Sequence, residues 1–185
     1  LIETPEGARA VETLKPGDLV DTYDGDAVPL RWKGTRAVKA AEIAHDPMLG
    51  PVRIDAGALG AGRPERALVV SAQHRVLIEG PDVELMFGVP EVLAPASALT
   101  AWPGIEPEGP RDITYAHLLF DAHQICWTNG APSESFYPGA WSFAAIGDAA
   151  RDAILAAVPD AADATRYGPT ARPAIKAYEV QALRR

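Results

Sequence analysis

A hydroxyl and an imidazole stand three residues apart in Ser71-Ala72-Gln73-His74, between the apolar runs 67–70 and 75–78. An imidazole holds a proton near neutral pH and can deliver it to a departing amine, while a hydroxyl can orient that ring or polarise a strained carbonyl. The same four residues also suit a polar turn between two strands, in which case neither side chain reacts. A second group, His117, Asp121 and His123, shares odd numbering and would face one side of a straight strand. At about 3.3 Å per residue His117 and Asp121 would be about 13 Å apart, too far for one metal ion unless the strand bends. Asp121 and His123, about 6.6 Å apart on the same rise, could share an ion or a hydrogen bond. Each histidine is equally suited to a half-buried strand with a satisfied ring. Cys126 sits in the apolar run HQICWT, where a free cysteine behaves as a small buried hydrophobe. His45, in AHDPM, reads as solvated. A serine hydrolase built on Ser71, His74 and an acid such as Asp121 is the least suitable chemistry. A nucleophile one turn from its base leaves a substrate little room, and no G-x-S-x-G elbow occurs.

The elements that must hold these residues are short. Glycine and proline, 16 and 17 of the 185 residues, fall as punctuation at Pro5, Gly7, Pro16, Gly17, Gly25, Gly34, Pro47 and Gly50. A recurrence every 8 to roughly 12 residues marks many short strands joined by turns, which predicts an all-β fold. Strands are expected at 8–12, 18–22, 28–38, 51–54, 67–70, 75–79 and 83–87, and a long bent strand or hairpin pair at 111–128. In Lys15-Pro16-Gly17-Asp18 the proline presets φ, the glycine can take positive φ, and the aspartate can bond the turn backbone. Beyond Pro138 the composition changes. Residues 147–158 are alanine-rich, with Asp148 as a possible N-cap and Pro159 as a stop, and 173–183 opens with a proline suited to a first helical turn. Two short C-terminal helices are expected on a β body, with 159–172 a loop packing back on it.

Length and charge exclude several classes. One core with an appendage fits 185 residues. Lys and Arg number 17 against 25 Asp and Glu, for a net charge of −8 without a basic stripe, which disfavours nucleic acid as a partner. A lone cysteine leaves no internal disulfide and no multi-cysteine zinc site. No window approaches the roughly 18 apolar residues of a membrane span, so no membrane partner is expected. The tryptophans at 32, 102, 127 and 141 are too scattered for a stacking platform and are assigned to core or rim packing.

Three ordered blocks carry a resemblance. The opening, LIETPEGARAVETLKPGDLVDTYDG, resembles the first block of hedgehog/intein (Hint) domains. SAQH at 71–74 resembles that family's Thr-x-x-His block, with serine in place of threonine. TYAHLLFDAHQICWTNGAPSES at 114–135 is similar to the C-terminal block of inteins: Asn129-Gly130 falls on the family's turn, His123 on a frequent histidine, and His117 where aspartate is common. The resemblance spans 1–136 and implies a bacterial, intein-like, all-β Hint horseshoe of many short strands with pseudo-two-fold character. Residues 137–185 would be an extension carrying two short helices, similar to the segment beyond the Hint body in bacterial proteins that are often parts of larger secreted polypeptides.

The resemblance also implies an activity. A Hint domain opens with a cysteine a few positions before the strand that starts here at Leu1, a residue absent from this sequence. Its thiolate attacks the preceding carbonyl, converting an amide to a thioester, and the amine leaves only when protonated. His74 is the expected proton donor and Ser71 its support, with His123, Asp121 and His117 as further site candidates in that order. Water, a thiol or another nucleophile would then release the upstream polypeptide, the partner in cis, from a monomer that needs no metal or cofactor. Inteins end in His-Asn where this chain has Glu134-Ser135 and continues, so asparagine cyclisation is not expected. An inert Hint-fold structural or interaction module within a larger secreted or surface protein is the alternative, favoured by the missing cysteine, the serine at 71 and the lost His-Asn.

Overall fold

A computed structural model describes residues 1–139, 142–143 and 146–183, so Trp141 lies outside the described residues. The elements are short strands with brief helices between them: β1 (Leu19–Val20), β2 (Val28–Pro29), β3 (Trp32–Val38), α1 (Ala40–His45), β4 (Pro51–Ile54), β5 (Leu68–Ser71), β6 (Arg75–Glu79) and α2 (Pro81–Phe87). Further along the chain come β7 (Glu91–Pro95), β8 (Ile105–Pro107), β9 (Ile113–Leu119), β10 (Ile125–Thr128), β11 (Ala131–Glu134), α3 (Asp148–Ala157), α4 (Ala164–Tyr167) and α5 (Ala177–Val180). The strands form several sheets, β1 with β2, β3 with β9, β5-β4-β8 and β10-β11-β6-β7, and β1–β2, β4–β5, β4–β8, β6–β7 and β6–β11 pair antiparallel. The all-β expectation therefore holds, with a few short helices. Among the described residues no helix is long and apolar enough to cross a membrane.

The chain packs as two compact units, each discontinuous in sequence. The first comprises Leu1–Arg36, Ala116–Cys126 and Ser135–Ala171. Leu118 and Leu119 divide its interior, because successive side chains on a strand point to opposite faces. Leu118 joins Ile2, Leu14, Val20, Leu30, Phe120 and Cys126, while Leu119 joins Ile154, Val158, Ala161 and Tyr167. The turn before β1 is built as its residues dictate. Gly17 has φ +96°, the Lys15 N–H donates to Asp18 Oδ2 at 2.9 Å, and that backbone bond leads the causes holding the Asp18 carboxyl below its ordinary value.

The second unit comprises Ala37–Tyr115, Trp127–Glu134 and Arg172–Arg185. Its core gathers Val52 and Ile54 of β4, Leu68 and Val70 of β5, Val76 and Ile78 of β6 and Val92 and Ala94 of β7, with Trp102, Ile105, Ile175, Val180 and Leu183. The alternate spacing of these residues along β4 to β7 puts them on one face of their strands, while Leu77 of β6 and Leu93 of β7, on the other face, are buried as well. β10 and β11 are joined by Asn129-Gly130, both at positive φ (+50° and +79°), the backbone of a two-residue hairpin turn.

Several expected elements come out differently. Residues 83–87 form α2 rather than a strand: Pro81 occupies the first turn, and Gly88 at φ +69° ends the helix with its N–H donating to the Glu84 carbonyl at 2.9 Å. At 8–12 only Arg9 bridges to Ile2, and Val11–Thr13 is a 3-10 turn. The 111–128 stretch is neither one bent strand nor a hairpin pair, since β9 and β10 lie in different sheets. Of the two C-terminal helices, α3 stands where expected, but 173–175 runs extended beside β7, with Leu93 N–H to Pro173 O and Ile175 N–H to Leu93 O both at 2.9 Å. Burial of Ile175 in the core holds that segment extended and delays α5 to Ala177. The 159–172 segment contains a 3-10 turn at Pro159–Ala162 and helix α4.

Candidate functional site

Ser71 and His74 are brought together by the shortest possible route. β5 ends at Ser71, β6 begins at Arg75, and the His74 N–H donates to the Ser71 carbonyl at 3.0 Å, closing a four-residue turn. Ala72, inside that turn, is 3 % exposed. The Ala72 carbonyl accepts from Ser97 N–H and the His74 carbonyl from Ala96 N–H, both at 2.9 Å. The turn is thus laced to the 3-10 turn that follows β7, Ala96–Ala101. Ser71 and His74 are half-buried, and the Nε2 atom of His74 is enclosed by protein. The turn's hydrogen bonds fix the backbone that carries the ring, and a proton donor on a fixed backbone needs little reorganisation to act.

His117, Asp121 and His123 belong to the other unit and do not share a face. β9 stops at Leu119, so the two-residue period lapses before Asp121. The Asp121 side chain is 60 % exposed and accepts from Arg31 through Nε at 2.8 Å and Nη2 at 2.7 Å, both on Oδ2. It is thereby engaged by a guanidinium. His117 lies edge-on to Phe136, with ring centroids 5.5 Å apart.

His123 is the best-defined histidine of the chain. It is 4 % exposed, and its Nδ1 accepts from Ala171 N–H at 2.9 Å. An amide N–H can only donate, so the ring proton resides on Nε2, which donates to the Ser135 carbonyl at 3.1 Å. Tyr137 packs edge-on at 5.4 Å, its hydroxyl donating to the Gly168 carbonyl at 3.0 Å. Ser135 in turn pairs with Gln124: its N–H donates to the Gln124 carbonyl at 2.8 Å, and its Oγ accepts from Gln124 N–H at 2.9 Å. His123 therefore ties the residue after β11 to the 168–171 segment. The anticipated sharing between Asp121 and His123 is replaced by separate partners, Arg31 for one and two backbone groups for the other.

Cys126 is 3 % exposed, and burial pushes its thiol up to about 12, so at pH 7 it is a neutral, packed side chain. His45 is exposed at the end of α1. Among the described residues no three His, Cys, Asp or Glu side chains are grouped to hold a metal ion. Glu134, which the sequence marks only as replacing an intein histidine, has a partner that its sequence neighbourhood does not announce. Its carboxylate accepts from Arg75 N–H at 2.9 Å and from Arg75 Nη1 at 3.1 Å, next to His74 in the chain. The available signal was an acidic residue standing where a related block carries histidine.

A family model described as a Hint domain matches residues 1–140. Among solved structures, the chain is similar to the MchDnaB-1 intein at 9 % identity, over 71 % of this chain and 93 % of that one, with a TM-score of 0.43. It is also similar to the gp41-1 intein at 11 % identity, over 71 % and 91 % of the two chains, with a TM-score of 0.40. Among curated proteins none matches it.

Proposed function

We propose that this chain, which belongs to the Hint domain family, carries out a self-processing reaction in which an amide upstream of Leu1 is converted to a thioester and the upstream polypeptide is released. The observation that carries this reading is the Ser71–His74 turn, whose backbone is hydrogen-bonded on both flanks and whose histidine has Nε2 withdrawn from solvent. In the reaction the thiolate of a preceding cysteine adds to the carbonyl before it, forming a carbon–sulfur bond. The carbon–nitrogen bond then breaks, and its electron pair stays on nitrogen, which takes a proton from His74. An amine is expelled as a neutral leaving group only with that proton, so the histidine acts at the demanding step. Ser71 supports the ring or the developing oxyanion. Water or an external thiol then attacks the thioester and frees the upstream piece.

Release at the other end is not part of this reading. Serine at 135 has no side-chain amide to close onto its own carbonyl, and the Glu134 carboxylate is engaged by Arg75. The same features, with serine at 71, favour the inert module as the second reading.

One experiment separates them. With the residues encoded immediately before Leu1 restored, dithiothreitol or hydroxylamine should release the upstream piece. His74→Ala should slow release by the 10²- to roughly 10⁴-fold typical of losing a positioned general acid. Ser71→Ala should cost less, Ser71→Thr almost nothing, and the exposed His45→Ala nothing. Equal release with His74→Ala refutes the assigned mechanism, and no release from the unaltered protein establishes the inert module.

A further inference from the structure

β6 begins directly after His74, and its first peptide N–H is taken by a side chain. Ser133 of β11 stands opposite Val76, which sets Glu134 opposite Arg75 at the end of the antiparallel pair. From there the Glu134 carboxylate spans two donors, Arg75 N–H on Oε1 and Arg75 Nη1 on Oε2. Its side chain is only 10 % exposed, the least of any acid in the described ion pairs, against 36 % for Arg75. A carboxylate so far withdrawn from water is stable only while its charge-assisted bonds are intact, and those bonds fix the group they hold. Backbone bonds also tie the turn: His74 N–H on the Ser71 carbonyl, the Ala72 carbonyl under Ser97 N–H, and the His74 carbonyl under Ala96 N–H. Glu134 supplies the tie to the next peptide, so the chain is held before, at and after the histidine.

We propose that Glu134 is a positioning residue for His74: by bridging the backbone and guanidinium of Arg75 it fixes the exit of the Ser71–His74 turn and with it the direction of the imidazole. The inference deepens the processing reading and rests on it for its catalytic consequence, though not for its structural one. Glu134 touches no reacting atom; it acts through the residue that donates the proton.

The catalytic test is a double-mutant cycle in the protein with its upstream residues restored. Glu134→Ala should slow thiol-induced release by up to the ~10²-fold that a misplacement of about 1 Å can cost. Glu134→Gln, whose amide oxygen can still accept from Arg75 N–H, should recover most of the rate. Glu79→Ala, which breaks another arginine pair of the same unit, should leave it unchanged. In a His74→Ala background Glu134→Ala should cost nothing further, because its effect passes through the missing ring. Full activity of Glu134→Ala, or an equal cost in both backgrounds, overturns the proposal.

If the unaltered protein releases nothing, the processing reading fails and the 185-residue chain still decides the positioning. The ring proton–carbon resonance of His74, identified by its loss in His74→Gln, should be single and sharp in the unaltered chain and in Glu134→Gln. It should broaden or double in Glu134→Ala. An unchanged resonance in folded Glu134→Ala refutes the role. Should the alanine variant not fold, Glu134→Asp, one methylene too short to span both donors, is read in its place with the same two outcomes.

Discussion

His74 and Cys126 are the two residues of this chain with the most chemistry in their side chains, and packing assigns them opposite fates. The histidine sits in a turn at the junction of two strands, while the cysteine is enclosed with Leu14, Val20 and Phe120. A thiol whose folded pKa is raised from 9.0 to about 12 holds its proton in the native chain when the unfolded chain has lost it. The unfolded state then binds fewer protons, so this contribution to stability is present below about pH 9 and is lost as pH rises from about 9 to 12. Cys126→Ala should flatten the alkaline fall in the melting temperature, and the native protein should resist thiol reagents at pH 8 until denatured. Fast labelling of the folded chain would show the burial to be wrong. Enclosure of the single cysteine also predicts that the 185-residue chain keeps its mass on incubation with dithiothreitol; any fragment ending at Ser135 would contradict the role given to that residue. The pair Ser71 and His74 was legible from spacing because four consecutive residues make their own turn. The partners of Asp121 and His123 were not, since Arg31 and Ala171 lie far away in sequence and neither carries a local signal.

Short apolar runs bounded by turn residues were readable, and β4 and β6 occupy the positions their composition predicts. Asn129-Gly130 likewise makes the turn its residue types favour, although β11 after it, with a proline at 132, has weak strand composition. Alternation misled at 83–87, where Val83, Leu85 and Phe87 look like one buried face. In α2 only Val83 is buried, and Leu85 is 85 % exposed. Two substitutions discriminate between the descriptions. Leu85→Lys should change stability by less than about 0.5 kcal/mol, as exposed positions do, whereas a strand with Leu85 inside would lose several times that. Gly88→Ala should cost roughly 1 kcal/mol from the left-handed backbone alone, since a β-carbon there would meet nothing within 4 Å. Thermal unfolding of both variants provides the measurement. The break between β9 and β10 escaped notice because each strand is composed like the other and only their partners differ.

At the level of the molecule the informative fact is that neither compact unit is a continuous stretch of chain. Residues of the β body and of the C-terminal stretch pack in both, and such interleaving leaves no boundary in composition. Removing residues 172–185 would take Ile175, Val180 and Leu183 out of the second core, all three 7 % exposed or less. At about 1.5–3 kcal/mol for each buried aliphatic side chain, that loss approaches the whole stability of a typical domain, about 5–15 kcal/mol. A chain ending at Ala171 should therefore fail to show a cooperative melt, and a native-like transition from it would mean these contacts are dispensable. The threading of 135–171 into one unit and 172–183 into the other also bears on timing during synthesis. Ile154, Val158 and Tyr167 close one interior and Leu183 the other, so a nascent chain still held in the ribosome short of residue 183 has at least one core open. On the proposed reaction, the Ser71–His74 turn would lack its packed surroundings for as long as translation of this stretch continues. Liberation of the upstream protein would then wait until this stretch has been made and packed, with residues 172–183 serving as its clock.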